Sequence, residues 1–419
     1  MQPTPEIKGW CPGAYATMAS NDGLLIRAKI VGARIDAAQL AAVAAISADC
    51  GNGLVDLSQR AQLQIRGVNA ATLPDALRRL GAANLLPRDA AAERVTNIIA
   101  APLSDDANAM ARELADAIQA DHALRALPAK FLFAIDGGTL PLSNIEADIR
   151  LSTAQLNNVA ISVAGADDLA VIVDRTEAVA TALELARAFV TLRNGAFELR
   201  RMGRLVKALG AARLFSEAGL VAALSRRPDS APRPFLGAQE AGRLYFAGVA
   251  APSGRWRASE LEALAALAAS QAGGELRLTP WRAILILAPS ADAARSIVAA
   301  ARARDLIVSH DDPRLAVVAC PGAPECPQAR GDTRGALARL APLAQKLAGK
   351  DGVGLHISGC AKGCARPGGA PVTLIADGGR FDLVDQGGAS DAPQSTGLDI
   401  DAVESALAAR AREHLCQTH

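Results

Sequence analysis

Residues 320–326 read CPGAPEC, and residues 354–369 read GLHISGCAKGCARPGG. The two stretches hold two cysteine pairs, Cys320 with Cys326 and Cys360 with Cys364, and 33 residues separate the pairs. Four thiolates at these spacings, each flanked by Gly or Pro, suit an iron–sulfur cluster. Four sulfurs must converge on one inorganic core, so the backbone has to turn tightly at each ligand. Gly322, Gly359 and Gly363 permit such turns and let peptide N–H groups approach the sulfides. Structural zinc usually takes pairs about two to four residues apart, and the first pair is wide for it. Disulfides need an oxidising compartment, which nothing in the chain suggests. Buried unpaired cysteines are common singly, but not as two tight pairs.

Outward from the cysteines the chain shows a repeat. Residues 23–31, GLLIRAKIV, alternate as a strand, and Asp36 caps a helix with Gln39 at the capping-box position. Leu40, Val43 and Ala44 give that helix its apolar face, and Gly51-Asn52-Gly53 stops it. LVDLSQRAQLQIRGV follows as strand, bend and strand, and Thr72 with Pro74 opens a second helix. The same order recurs after the midpoint: a strand over 243–249, then a helix capped by Ser259 with Glu262 at the box position. Two strands in ELRLTPWRAILIL and a helix from Ser290 complete the second copy. The pattern predicts duplicated β-α-β-β-α units over 14–85 and 236–305. An α/β segment spans 86–225, a Pro-rich linker 226–235, and the cysteine region 306–390. Residues 387–398 read as a loop, and 391–419 end in an amphipathic helix.

Composition is that of an ordinary globular protein: 50% hydrophobic, 21% charged, with a formal charge of +1. That balance leaves no electrostatic footprint for nucleic acid, and 3% aromatics supply little for stacking bases. The opening MQPTPEIKGW has no apolar run, and no segment approaches the roughly 20 residues needed to span a bilayer. A cytoplasmic protein is expected, with Cys11, Cys50 and Cys416 as reduced, packed thiols.

CPGAPEC followed by HISGCAKGC resembles the cluster signature of the sulfite and nitrite reductase hemoprotein family. The resemblance implies an α/β (α+β) fold: two ferredoxin-like half-domains paired about a pseudo-twofold axis, plus two α/β domains. It implies a [4Fe–4S] cluster on Cys320, Cys326, Cys360 and Cys364, the last of which bridges to a siroheme iron in the reductases. It also places a strand pair over a tetrapyrrole, and the matching stretch here is LSQRAQLQIRGV. Arg60, Gln62, Gln64 and Arg66 lie at even spacing, so one extended strand would show them on one face. Arg60 and Arg66 can each grip a carboxylate through two parallel hydrogen bonds, and Gln64 adds neutral donors. Arg27 and Lys29 match positions lining the distal face, and Asn97, in the stretch matching a family motif, is a candidate substrate-binding residue. Lys130 resembles the first of two lysines that hold an anionic substrate and help supply protons, and is the candidate catalytic residue.

The departures are informative. Where the reductases have the second lysine stands Leu132, and where they have an arginine before Asn97 stands Thr96. Arg94 is close in sequence but out of register. Reducing sulfite or nitrite requires charge neutralisation and repeated protonation, which the lost cations would serve. Residues 9–30, 51–68 and 200–210 resemble instead the oxygen-using branch of the family, the precorrin-3B synthases. That branch implies hydroxylation of the tetrapyrrole precorrin-3A at a meso carbon by dioxygen, with γ-lactone formation, in aerobic cobalamin biosynthesis. It implies the cluster, a mononuclear non-heme iron, and NADH or a reduced electron carrier or donor protein. A siroheme-containing sulfite or nitrite reductase is the alternative. A facial triad for the iron needs two histidines and a carboxylate, and no pair among His122, His310, His356, His414 and His419 has ligand spacing.

Overall fold

The structure is a computed structural model that describes residues 12–142, 145–153, 157–225 and 235–417. Cys11, His419 and all but the last residue of the expected linker lie outside the described residues, as does the side chain of Cys416. No helix among the described residues is long and apolar enough to cross a membrane.

Two five-stranded sheets form the duplicated part, and each borrows an edge. Met18–Ser20, Gly23–Ala28, Leu63–Val68 and Leu54–Leu57 are completed by Arg255–Arg257 from the second copy. Gly237–Ala241, Leu244–Ala250, Ala283–Ala288 and Glu275–Leu278 are completed by Arg34–Asp36 from the first. The exchanged strands hold equivalent places, each running directly into the first helix of its own copy, Ala37–Cys50 or Ala258–Gln271. Those helices pack on each other, and both copies share one hydrophobic core in which Trp256 is fully buried. Neither copy closes its sheet alone, so the two form a single cooperative unit.

The exchange explains where the helices begin. Asp36 Oδ1 accepts from Gln39 N at 2.7 Å, and Gln39 Oε1 accepts from Asp36 N at 3.2 Å, the expected capping box. In the second copy the expected cap at Ser259 is corrected. Arg257 N donates to Glu260 Oε2 at 2.8 Å, and the helix starts at Ala258. Pairing of Arg257 with Leu54 holds the chain extended up to that point, so the helix can only begin after it.

The central sheet runs Ala223–Leu224, Ala166–Asp174, Asn158–Val163, Ile149–Thr153, Phe133–Asp136, Ile98–Ala100. Its last three strands are parallel, and Asp105–Ala120 and Ala178–Arg193 pack into its core. The cysteine region has its own sheet, in the order Val317–Ala319, Leu355–Ser358, Ala370–Asp377, Arg380–Gly387, Ser395–Leu398. The last strand corrects the expected loop over 387–398. It is short and polar, so alternation does not betray it, and it forms only by pairing with Phe381 and Leu383.

Candidate functional site

Val317–Ala319 and Leu355–Ser358 are parallel neighbours, with Ala319 opposite Ile357. Cys320 and Cys360 leave the same carboxyl end of these strands, the end where α/β sheets place ligands. The two loops are tied together: Cys320 N donates to Ile357 O at 3.2 Å, Arg330 N to Gly359 O at 2.9 Å, and Gly359 N to Cys320 Sγ at 3.3 Å. Gly322 and Gly363 have φ of 72° and 61°, as the tight turns require. Gly359 serves by close approach instead, since a Cβ there would lie 2.6 Å from Ala329 Cβ.

Cys326, Cys360 and Cys364 line one cavity of about 340 Å³, and Cys320 is buried behind them. Burial pushes the Cys320 thiol up, and N–H groups of Gly359 and Gly322 pull it part of the way back. Cys364 is exposed to the cavity, yet its walls desolvate the thiol and raise it. Lys362 opposes that shift, while Cys360, Cys320 and Cys326 add to it. Four thiols on two cross-tied loops, with a peptide N–H already on one sulfur, fit a [4Fe–4S] cluster. No three His, Cys, Asp or Glu side chains among the described residues stand close enough to hold a single metal ion. A cubane binds each thiolate through a different iron, so that limit does not bear on it. It does bear on the mononuclear iron, for which the described residues offer no ligand set. His310 accepts from Phe235 N and Leu236 N at 3.0 and 3.1 Å, and both ring nitrogens of buried His356 lack a hydrogen bond.

The structure divides the basic positions. Gln64, Arg66 and Lys130 line the cysteine cavity. Arg27, Lys29 and Asn97 line a second cavity of about 310 Å³, and Pro12 belongs to the walls of both. Arg60 is not on a strand: the chain turns through 58–62, with Ala61 at φ 52°, before Leu63–Val68 begins. Even spacing therefore does not put the four side chains on one face, a correction caused by the turn. Arg60 Nη2 donates to Lys130 O, and Gln62 is spent on both backbone groups of Ile30, at 3.0 and 2.6 Å. Arg66 is buried and grips Asp22 twice at 2.9 Å and Asp56 at 3.2 Å. Lys29 Nζ donates to Thr96 O, and Asn97 Nδ2 to Arg94 O and Ala129 O. Lys130 Nζ has no hydrogen-bond partner among the described residues. Thr96 is buried with its hydroxyl on Ala92 O at 2.7 Å, and Leu132 is packed into the central core.

Two features escaped sequence reasoning. Glu93 is buried and accepts from Ala14 N at 2.6 Å and Tyr15 N at 3.0 Å, which fixes the strap beside Pro12. The second is the set of carboxylates around Arg66. Burial alone would raise Asp56, but Arg255, then Arg334 and Arg66, hold it below the usual carboxylate range. No local pattern signals either, because the partners lie tens to hundreds of residues apart.

The comparisons agree with this geometry. Residues 17–83 and 237–304 match the family described as nitrite/sulfite reductase ferredoxin-like half domain. A precorrin-3B synthase from Sinorhizobium sp. is 28% identical over 422 residues, covering 96% of this chain and 87% of that protein. The structure of Mycobacterium tuberculosis NirA protein superposes with a TM-score of 0.69 at 22% identity, covering 91% of this chain and 79% of that one. Its likeness speaks for the fold alone. The two stretches that match the half-domain description are the two copies that exchange strands around one core, and the fold they build is shared with the NirA structure.

Proposed function

We propose that the chain is an oxygen-using precorrin-3B synthase. It hydroxylates precorrin-3A at the meso carbon later expelled, and a neighbouring acetate closes a γ-lactone. One atom of dioxygen enters the product; the other leaves as water, with two electrons from NADH or a reduced electron carrier. The observation that carries this reading is the similarity to a precorrin-3B synthase over 96% of the chain. The buried Thr96 and Leu132 support it, because the cations expected of a sulfite or nitrite pocket are replaced there by groups with no charge.

A [4Fe–4S] cluster on Cys320, Cys326, Cys360 and Cys364 would supply electrons one at a time. Lys130 keeps a positive charge at the wall of the same cavity, where Nζ orients a substrate carboxylate and can deliver a proton. Gln64 adds a neutral amide donor there. Arg66, already held by two carboxylates, stiffens the wall more than it grips a ligand. Arg27, Lys29 and Asn97 serve the adjoining cavity, where substituents of so large a substrate would reach. The reading places the reaction in the cytoplasm, with the tetrapyrrole, dioxygen and an electron-donor protein as partners, and without nucleic acid or membrane.

Purified, cluster-loaded protein should consume dioxygen only when precorrin-3A is present, and labelled oxygen should enter the product. It should not turn over sulfite or nitrite with a strong artificial reductant. Restoring Arg at 96 and Lys at 132 should not create that activity. Substantial sulfite or nitrite reduction, together with a strong Soret band from bound siroheme, would overturn the synthase reading in favour of a siroheme reductase.

A further inference from the structure

Between the first sheet and the cysteine loops lies a charged group that the substrate reading does not use. Asp56 accepts from Arg255 Nε at 2.9 Å and from Arg66 Nη1 at 3.2 Å, and Arg334 Nη1 stands 3.7 Å away. Arg66 also holds Asp22, and Arg255 Nη1 donates to Glu325 at 2.6 Å. Arg66, Arg255 and Arg334 thus meet Asp22, Asp56 and Glu325 in a largely closed space, and of the three guanidinium groups only that of Arg334 has no carboxylate within hydrogen-bond distance. A charge held away from water without a hydrogen-bonded partner is costly, so Arg334 calls for an anion.

The group is fastened to the cysteine loops. Arg334 Nε donates to Cys320 O at 3.2 Å, while its buried Nη1 has no hydrogen bond. Glu325 directly precedes Cys326, and its carbonyl accepts from Asn21 N at 2.9 Å. Arg334 is not in the cavity wall, so a substrate carboxylate is not its natural partner. A four-iron cluster with four thiolates is anionic, and reduction adds one more negative charge.

We propose that this network is the counter-charge of the cluster, and that Arg334 is a positioning residue that sets its reduction potential. The inference rests on the four cysteines being cluster ligands. Arg334→Gln removes a positive charge beside Cys320, which makes adding an electron harder and moves the potential to more negative values. Glu325→Gln removes a negative charge beside Cys326 and moves it the other way. Arg334→Lys keeps the charge and stays near the unmodified protein. The reading is a redox titration followed by electron paramagnetic resonance of the reduced cluster, with iron and sulfide counted in each variant. Opposite shifts from the two Gln variants support the proposal, since a merely structural role would not make the sign follow the charge. Equal signs, or no shift at full iron and sulfide content, overturn it. If Arg334→Gln does not hold the cluster, Glu325→Gln alone decides: a positive shift supports the proposal and any other result overturns it. Unmodified protein that binds no iron and sulfide would refute the cluster assignment itself.

Discussion

Arg60 Nη2 donates to the backbone carbonyl of Lys130 at 3.2 Å. The bond joins the turn of the first half domain to the segment of the central domain that carries the cavity lysine. Arg60 thus supports Lys130 from behind, rather than standing beside Arg66 on a strand face.

Removing that support should show in turnover. Arg60→Ala loses a charge-assisted bond worth about 1.5–3 kcal/mol, so kcat/KM should fall roughly ten- to a hundredfold. Arg60→Lys should recover part of it, since an ammonium lacks the planar fork. Steady-state dioxygen uptake with precorrin-3A checks this. A lower melting temperature with unchanged kcat/KM would show the bond to be structural only.

Arg66→Ala should act on stability before affinity. It strips two half-buried carboxylates, Asp22 and Asp56, of their shared partner, at a cost of about 2–4 kcal/mol, below that of breaking a fully buried pair. The urea midpoint should drop accordingly. Because the folded-state value of Asp56 is depressed, its stabilisation is present above its ordinary value of 3.8 and is lost as pH falls below that. Arg66→Ala should therefore lose less stability on acidification than the unmodified protein. An unchanged midpoint with weakened substrate binding would make Arg66 a ligand instead.

Each of Cys320→Ser, Cys326→Ser, Cys360→Ser and Cys364→Ser should lose the brown colour, the inorganic sulfide and the activity together. Binding at these loops contributes to the folding of the cysteine domain, so the variants should also be more sensitive to proteolysis there. Iron and sulfide analysis decides it. A variant that retains four irons removes its residue from the ligand set.

Burial pushes His356 down to about 4, with the Arg366 charge adding to the effect. The unfolded chain takes up a proton near pH 6.5 while the folded chain resists, so stability present above about 6.5 drains away as pH falls toward 4. The full displacement amounts to about 3 kcal/mol. His356→Phe should flatten the unfolding midpoint across that window. A slope unchanged by the substitution would assign the pH dependence to other groups.

The local elements of this protein are written in short-range patterns. Asp36 with Gln39, the alternation in Gly23–Ala28 and the pairing of cysteines around Gly322 and Gly363 each need only a few neighbouring residues, so sequence alone determined them. The duplication was legible for the same reason, as one local order met twice. What only the tertiary structure decided depends on distant partners. Arg255–Arg257 completes the sheet of the other copy because that edge lies open beside it, and this moved the helix cap from Ser259 to Arg257. Arg66 carries the same even spacing whether it faces a substrate or a carboxylate, and Asp22, 44 positions away, made the choice. Periodicity reports which face a side chain takes; it carries no information about the charge that meets it there.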